Sequence, residues 1–153
     1  MEVNKVIKES FSVIGKEGST FDGVGFIQGL WHNANSHFEE VQHLAKRDDN
    51  GSLVGIWGLM SDFSRSFHPW EDFQKGLYLA GIECRHDAAP PLGWTKWTVP
   101  GFEYLSVGCS DGITFLDAIK YLEENGMTLI GAVHDFTDPK TNKNYMLFPI
   151  KKL

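Results

Sequence analysis

Two cysteines, Cys84 and Cys109, are all the thiol chemistry in this 153-residue chain. Two thiols build neither a disulfide framework nor a four-thiolate zinc site, so the expectation is reduced cysteines in a cytoplasmic protein. Long apolar runs are missing as well. No stretch approaches the roughly 20 residues that a membrane-spanning helix needs. The opening MEVNKVIKES lacks the apolar segment of a secretory leader. Clustered positive charge is also lacking. Fourteen Lys and Arg face 20 Asp and Glu, giving a formal net charge of −6, and no basic run exceeds two residues. A nucleic-acid binder needs a basic face to displace counterions from phosphates, so no nucleic-acid partner is expected through this chain. His32, His37 and His43 are five and six residues apart and do not stack on one helix face, so no metal site is expected. No phosphate loop, dinucleotide fingerprint or nucleophile elbow is present, and no cofactor is expected.

Aromatic residues are abundant instead: 13% of the chain, with five Trp, four Tyr and 11 Phe. Core packing absorbs some of them, and a site for a flat apolar molecule would absorb the rest. The length corresponds to one domain, residues 1–153.

Punctuation divides the chain into elements. Val3 to Lys16 reads as a strand centred on Phe11-Ser12-Val13-Ile14. Asp22 is a candidate cap for a helix whose apolar positions Phe26, Leu30, Ala34, Phe38, Val41 and Leu44 recur at helical spacing, ending near Lys46-Arg47. Asp48-Asp49-Asn50-Gly51 is a turn, and Ser52 to Phe63 and Gly76 to Cys84 read as strands. Trp94 to Cys109 is extended with a break at Pro100-Gly101. Thr114 and Asp117 form a capping-box signature ahead of a helix stopped by Gly126. Thr128 to Phe136 and Asn144 to Ile150 make a hairpin.

The two halves answer each other: VGIWGLMSDF resembles LIGAVHDFTD, and LYLAGIE resembles YMLFPIK. The repeats run from about 1 to 85 and from 94 to 153. Each is a strand–helix–strand–strand unit, so the fold class is α+β: one mostly antiparallel sheet with two helices on one face. A cleft between the two helices is the expected ligand site.

The stretches YLAGIE, TVPGFEYLSVG and NYMLFPI, in this order and spacing, resemble GyrI-like proteins, among them the effector-binding domains of multidrug-responsive transcription activators. The resemblance spans about Ser10 to Ile150. It implies a hydrophobic small-molecule pocket at the pseudo-twofold centre. The regulators carry a helix-turn-helix ahead of this domain, whereas here the domain begins at once, which suggests a free-standing protein. They often place a Glu four residues before the Pro of the last strand. That position is Tyr145 here, which implies neutral or weakly charged aromatic ligands. The motif GWTKW resembles a free-standing subfamily that hydrolyses cyclopropane-bearing DNA-alkylating toxins.

Trp57, Tyr78, Trp94, Trp97 and Tyr145 are the candidate ligand-binding residues. Each also has an ordinary reading as core filling or as an amphipathic strand residue. Trp94 and Trp97 are expected on opposite faces of one strand. Trp57 sits between Gly55 and Gly58, which leave room beside it. Glu83 and Glu103 are the candidate catalytic carboxylates. Desolvation would raise the pKa of a pocket-facing one and suit it to proton transfer, while solvated strand-end carboxylates are the commoner case. Three functions follow as alternatives: a binder or sequesterer of hydrophobic aromatic xenobiotics, a hydrolase that opens a strained ring, or an interaction module. A homodimer or protein partner is left open.

Overall fold

Alternation of apolar residues on two sides of the strands sets the architecture, because both sheet faces are covered. The computed structural model describes residues 2–109 and 112–153. The strands are β1 (Val3–Lys8), β2 (Phe11–Ser19), β3 (Ile56–Ser61), β4 (Leu77–Cys84), β5 (Thr95–Val99), β6 (Phe102–Gly108), β7 (His134–Thr137) and β8 (Asn144–Lys152). The helices are α1 (Phe26–Ser36) and α2 (Phe115–Glu124). The strands form one antiparallel sheet in the order β1-β6-β8-β7-β3-β4-β2-β5.

The centre of that order is the β7–β3 pair, with β6-β8-β7 on one side and β3-β4-β2 on the other. Each trio belongs to one strand–helix–strand–strand unit, so the expected α+β sheet with two helices on one face is what forms. Two further strands exchange between the units. β1 runs into β2 yet pairs with β6, and β5 runs into β6 yet pairs with β2. Lys8 lies opposite Phe102 and Phe11 opposite Val99. Two residues intervene between the pairs on each side, Glu9-Ser10 and Pro100-Gly101, so one register continues across both bends. The two ends of the sheet are thereby tied together and the sheet curls.

Its inner face encloses Phe11, Val13, Trp57, Leu59, Leu79, Trp97, Val99, Tyr104 and Leu147, with Phe67 supplied by the 62–75 loop. The outer face carries both helices. α1 and the turns after it cover Ile14, Ile82 and Cys84 through Ala34, Val41 and Leu44. α2 covers Leu105, Val107 and Phe148 through Ala118 and Leu122.

Local chemistry explains the element ends. Around α2 the capping box forms: Thr114 N–H donates to Asp117 (2.9 Å) and Asp117 N–H donates to the Thr114 hydroxyl (3.2 Å). Asp22 does not cap α1. It closes a capping box with Ser19 around a 3-10 turn at Thr20–Asp22, and α1 starts after Gly25 with no side-chain cap. Nor does α1 run to Lys46. Asn33, Asn35 and Ser36 are residue types of weak helix propensity, and His37 leaves helical geometry at φ −123°. Val41 and Leu44 still reach the sheet, through the 3-10 turns Phe38–Glu40 and Gln42–Leu44. The strand expected from Thr128 forms only from His134. Among the described residues no helix is long and apolar enough to cross a membrane.

Candidate functional site

Because strand side chains alternate, each residue of the central β3–β7 pair commits to one face. Trp57 and Phe136 pair across it and face inward, whereas Gly58 and Asp135 pair and face the helices. A Cβ at Gly58 would overlap the Tyr78 hydroxyl. Without one, the Tyr78 phenol of β4 lies flat over β3 and donates to Asp135 Oδ2 (3.2 Å). Trp31 of α1 donates from Nε1 to the same phenol oxygen (3.1 Å). This Trp31–Tyr78–Asp135 chain runs along the floor between the two helices, at the junction of the repeats.

A cavity opens on each side of the chain. On the α1 side a hollow of about 220 Å³ is walled by Trp31, Phe38, Ile56 and Trp94. On the α2 side one of about 350 Å³ is walled by Met60, Trp70, Phe73, Phe115 and Met146, and Asp135 is its charged group. Phe73 meets Phe115 edge-on at 5.1 Å, joining the 62–75 loop to the start of α2 over this hollow. Burial raises the pKa of Asp135, with the Tyr78 hydrogen bond opposing. Burial also raises the pKa of Tyr78, helped by the neighbouring Asp135 charge, so the phenol stays protonated and remains the donor.

The inner face holds a separate hollow of about 330 Å³, lined by β1 on one side and by Trp57, Phe136 and Tyr145 on the other. Two of its lining residues, Lys8 and Trp57, hold the buried Glu83: the carboxylate is 1% exposed, with both oxygens on Lys8 Nζ at 3.0 and 2.9 Å. Trp57 Nε1–H donates to the same carboxylate (3.0 Å).

The structure therefore distributes the residues singled out from the sequence. Trp57, Tyr145 and Glu83 come together at the inner hollow, and Tyr78 and Trp94 belong to the helix side. Trp94 caps the α1 hollow, donating to Glu40 (2.9 Å) beneath the Lys16 ammonium, 4.1 Å from its ring centroid. Trp97 takes the opposite face, packed in the inner core against Phe67 and donating to Glu17 (2.7 Å). Glu103 stands opposite Ile7 and Lys151, beside the irregularity in the β6–β8 ladder, away from these three hollows.

Trp70, Phe73 and Phe115, which wall the α2-side hollow, were not singled out, and neither were Asp135 and Lys8. Asp135 follows His134 in sequence, and strand alternation beside a short buried His134 would have turned it to the helix face. Lys8 was absorbed into a single first strand, because the bend at Glu9-Ser10 carries neither Gly nor Pro. His134 itself faces inward. It is fully enclosed, burial holds its pKa down at about 3, and its Nδ1 accepts from Met60 N–H (3.2 Å). It is therefore a neutral structural group. Among the described residues no cluster of three His, Cys, Asp or Glu could hold a metal ion.

No protein-family model and no curated protein sequence matches the chain. Solved structures do. The C-terminal domain of EcmrR superposes with a TM-score of 0.64 at 11% identity, covering 99% of this chain and 98% of that one. SAV2435, solved bound to tetraphenylphosphonium, gives 0.61 at 15% identity, covering 99% and 94%. The integron cassette protein VCH_CASS2, from the mobile metagenome of Vibrio cholerae, gives 0.54 at 16%, covering 98% and 95%. At these identities the likeness establishes the architecture alone: the chain shares the fold of these three proteins.

Proposed function

We propose that this protein binds a bulky aromatic small molecule bearing positive charge in the helix-side cleft, with Asp135 as the counter-ion. The observation that carries this reading is the placement of Asp135. A carboxylate on an apolar floor, with a pKa raised by burial, lacks the solvation its charged form needs. An organic cation entering between Met60, Trp70 and Phe115 would supply the missing charge, and their rings and thioethers would supply contact area. The Tyr78 hydroxyl fixes the carboxylate in place. SAV2435, which shares the fold, is solved with an aromatic phosphonium cation, and that supports the ligand class. Tyr145 would have led to neutral ligands, but it lies on the other face of the sheet, so its side chain does not set the charge preference of this cleft.

A ring-opening hydrolytic role would need a carboxylate that can take a proton from water. Glu83 is engaged by Lys8 and Trp57, so Asp135, beside the Tyr78 donor, is the group such chemistry would use. Incubation with a cyclopropane-bearing alkylating compound, followed by analysis for the ring-opened water adduct, separates turnover from capture.

The binding reading is tested by tryptophan fluorescence. Tetraphenylphosphonium should quench saturably, since Trp31, Trp70 and Trp94 line the two hollows. Asp135→Asn should weaken that binding by roughly tenfold or more, as expected for loss of an interaction with a charged group. The neutral triphenylphosphine oxide should bind both proteins alike. No saturable quenching, or equal weakening of both ligands, would refute the assignment.

A further inference from the structure

The hollow on the α1 side lies within one repeat, and its chemistry differs from that of the cation cleft. Ala34 is the one buried residue of α1 and packs in a cluster with Ile14 and Ile82 of the sheet. An alanine at that place leaves space beneath the helix. What results is the hollow of about 220 Å³, floored by Ile14, Ile56 and Ile82 and walled by Trp31, Phe38 and Trp94. Protein interiors pack nearly as densely as organic crystals, with few voids larger than a water molecule. A gap of this size among core side chains forfeits dispersion contacts that a guest of matching shape restores.

Charge, hydrogen bonding and size together define the guest. Among the described residues that line the hollow, none is ionisable. A charged guest would leave water with no counter-ion to meet it. A cation would also find an ammonium already in place, because Lys16 Nζ lies 4.1 Å from the Trp94 ring centroid. Both indole N–H groups are committed elsewhere, Trp31 to the Tyr78 hydroxyl (3.1 Å) and Trp94 to Glu40 (2.9 Å). The rings therefore offer apolar surface. The exposed Asn35 supplies the one side-chain amide of the lining, and Trp31, Phe38 and Leu53 beside it are half-buried, which places the mouth at this edge. An apolar cavity of about 150 Å³ holds a single benzene ring. About 220 Å³ therefore matches two fused rings.

We infer that the α1-side hollow is a second site, which takes a neutral fused-ring aromatic molecule. Its rings lie among Trp31, Phe38 and Trp94, and its single polar substituent meets the Asn35 amide at the mouth. Such a site lies beyond the cation reading and stands without it, since Asp135 is not among its lining residues.

The full chain is titrated with naphthol while the indole Nε1–H resonances of Trp31 and Trp94 are followed by NMR. Both should shift saturably, and nuclear Overhauser effects should join the naphthol protons to methyl groups of Leu53, Ile56 and Ile82. Naphthylmethylammonium and naphthoate, the cationic and anionic counterparts, should bind there at least about tenfold more weakly. Ala34→Leu fills the hollow from the helix side and should weaken naphthol binding by about tenfold or more. Resonances that stay unmoved up to the solubility of naphthol would overturn the inference. So would Overhauser contacts confined to Met60 and Met146 of the other hollow, or a cation that shifts Trp94 as tightly as naphthol does. An Ala34→Leu protein that folds and binds naphthol like the parent would overturn it as well. If that variant does not fold, the Overhauser contacts in the parent decide alone.

Discussion

Asp135 is a residue placed at a cost to the fold. Its pKa is raised by burial, so the folded protein binds a proton there more tightly than the unfolded chain does. The protonated form therefore favours folding at low pH, and that contribution is lost as pH rises through the folded value. Above it the folded state holds a poorly solvated charge. Asp135→Asn should consequently be more stable than the parent at neutral pH, with the difference shrinking toward acid. Urea midpoints at pH 7 and at pH 4 measure it. A variant that is less stable at neutral pH would mean that the carboxylate is already well paired in the resting protein. Cation affinity of the parent should fall over the acid range in which Asp135 takes up its proton. Tyr78 cannot substitute for the charge, because its own ionisation is pushed far upward. The aromatic identities of the site were legible from composition, but their faces were not. Trp57 and Tyr145 reach the inner hollow, and Tyr78 the outer cleft, because of the bends at Glu9-Ser10 and Pro100-Gly101, and strand spacing does not reveal which side such a curl encloses.

The elements that carry explicit local signals behave as those signals say. α2 begins at its capping box and is followed by Gly126 at φ +68°, a backbone conformation that glycine adopts without strain. Removing the cap by Thr114→Ala should cost about 1 kcal/mol of global stability, read from the urea midpoint. A negligible change would mean that Phe115 and Leu122 alone fix the start of this helix. α1 has no comparable cap, and its apolar spacing continues past its end, because Val41 and Leu44 meet the same surface through 3-10 turns. Periodicity reports which residues face the sheet and is silent on whether the backbone between them stays helical. β1 was hidden for a related reason: a strand whose partner is 94 or more residues away in sequence leaves no local trace of that pairing. The 62–75 loop has the same character. It supplies Phe67 to the inner core and Trp70 and Phe73 to the cleft through backbone at positive φ, including Phe67 at 59° and Phe73 at 57°. Tertiary packing on both sides holds those conformations.

At the scale of the whole molecule, duplication places the site. Two repeats meet at β3 and β7, and the pair of residues at that seam is unequal on the helix side: Gly58 from one repeat and Asp135 from the other. The small residue makes room for Tyr78, and the acidic one receives its hydrogen bond. A cleft built on a near-symmetric frame thus acquires one charged group off its axis. The repeat itself was readable in the paired stretches VGIWGLMSDF and LIGAVHDFTD, and so was the α+β sheet. The exchange of β1 and β5 between the units was not, and it is this exchange that curls the sheet and creates an inner face with a hollow of its own. The most direct measurement is of intermolecular nuclear Overhauser effects from the phenyl protons of tetraphenylphosphonium to methyl groups of the protein. Contacts to Met60 and Met146, which flank Asp135 on the helix side, are the result this account predicts. Contacts confined to Val6 and Leu147, which line the inner hollow, would contradict it.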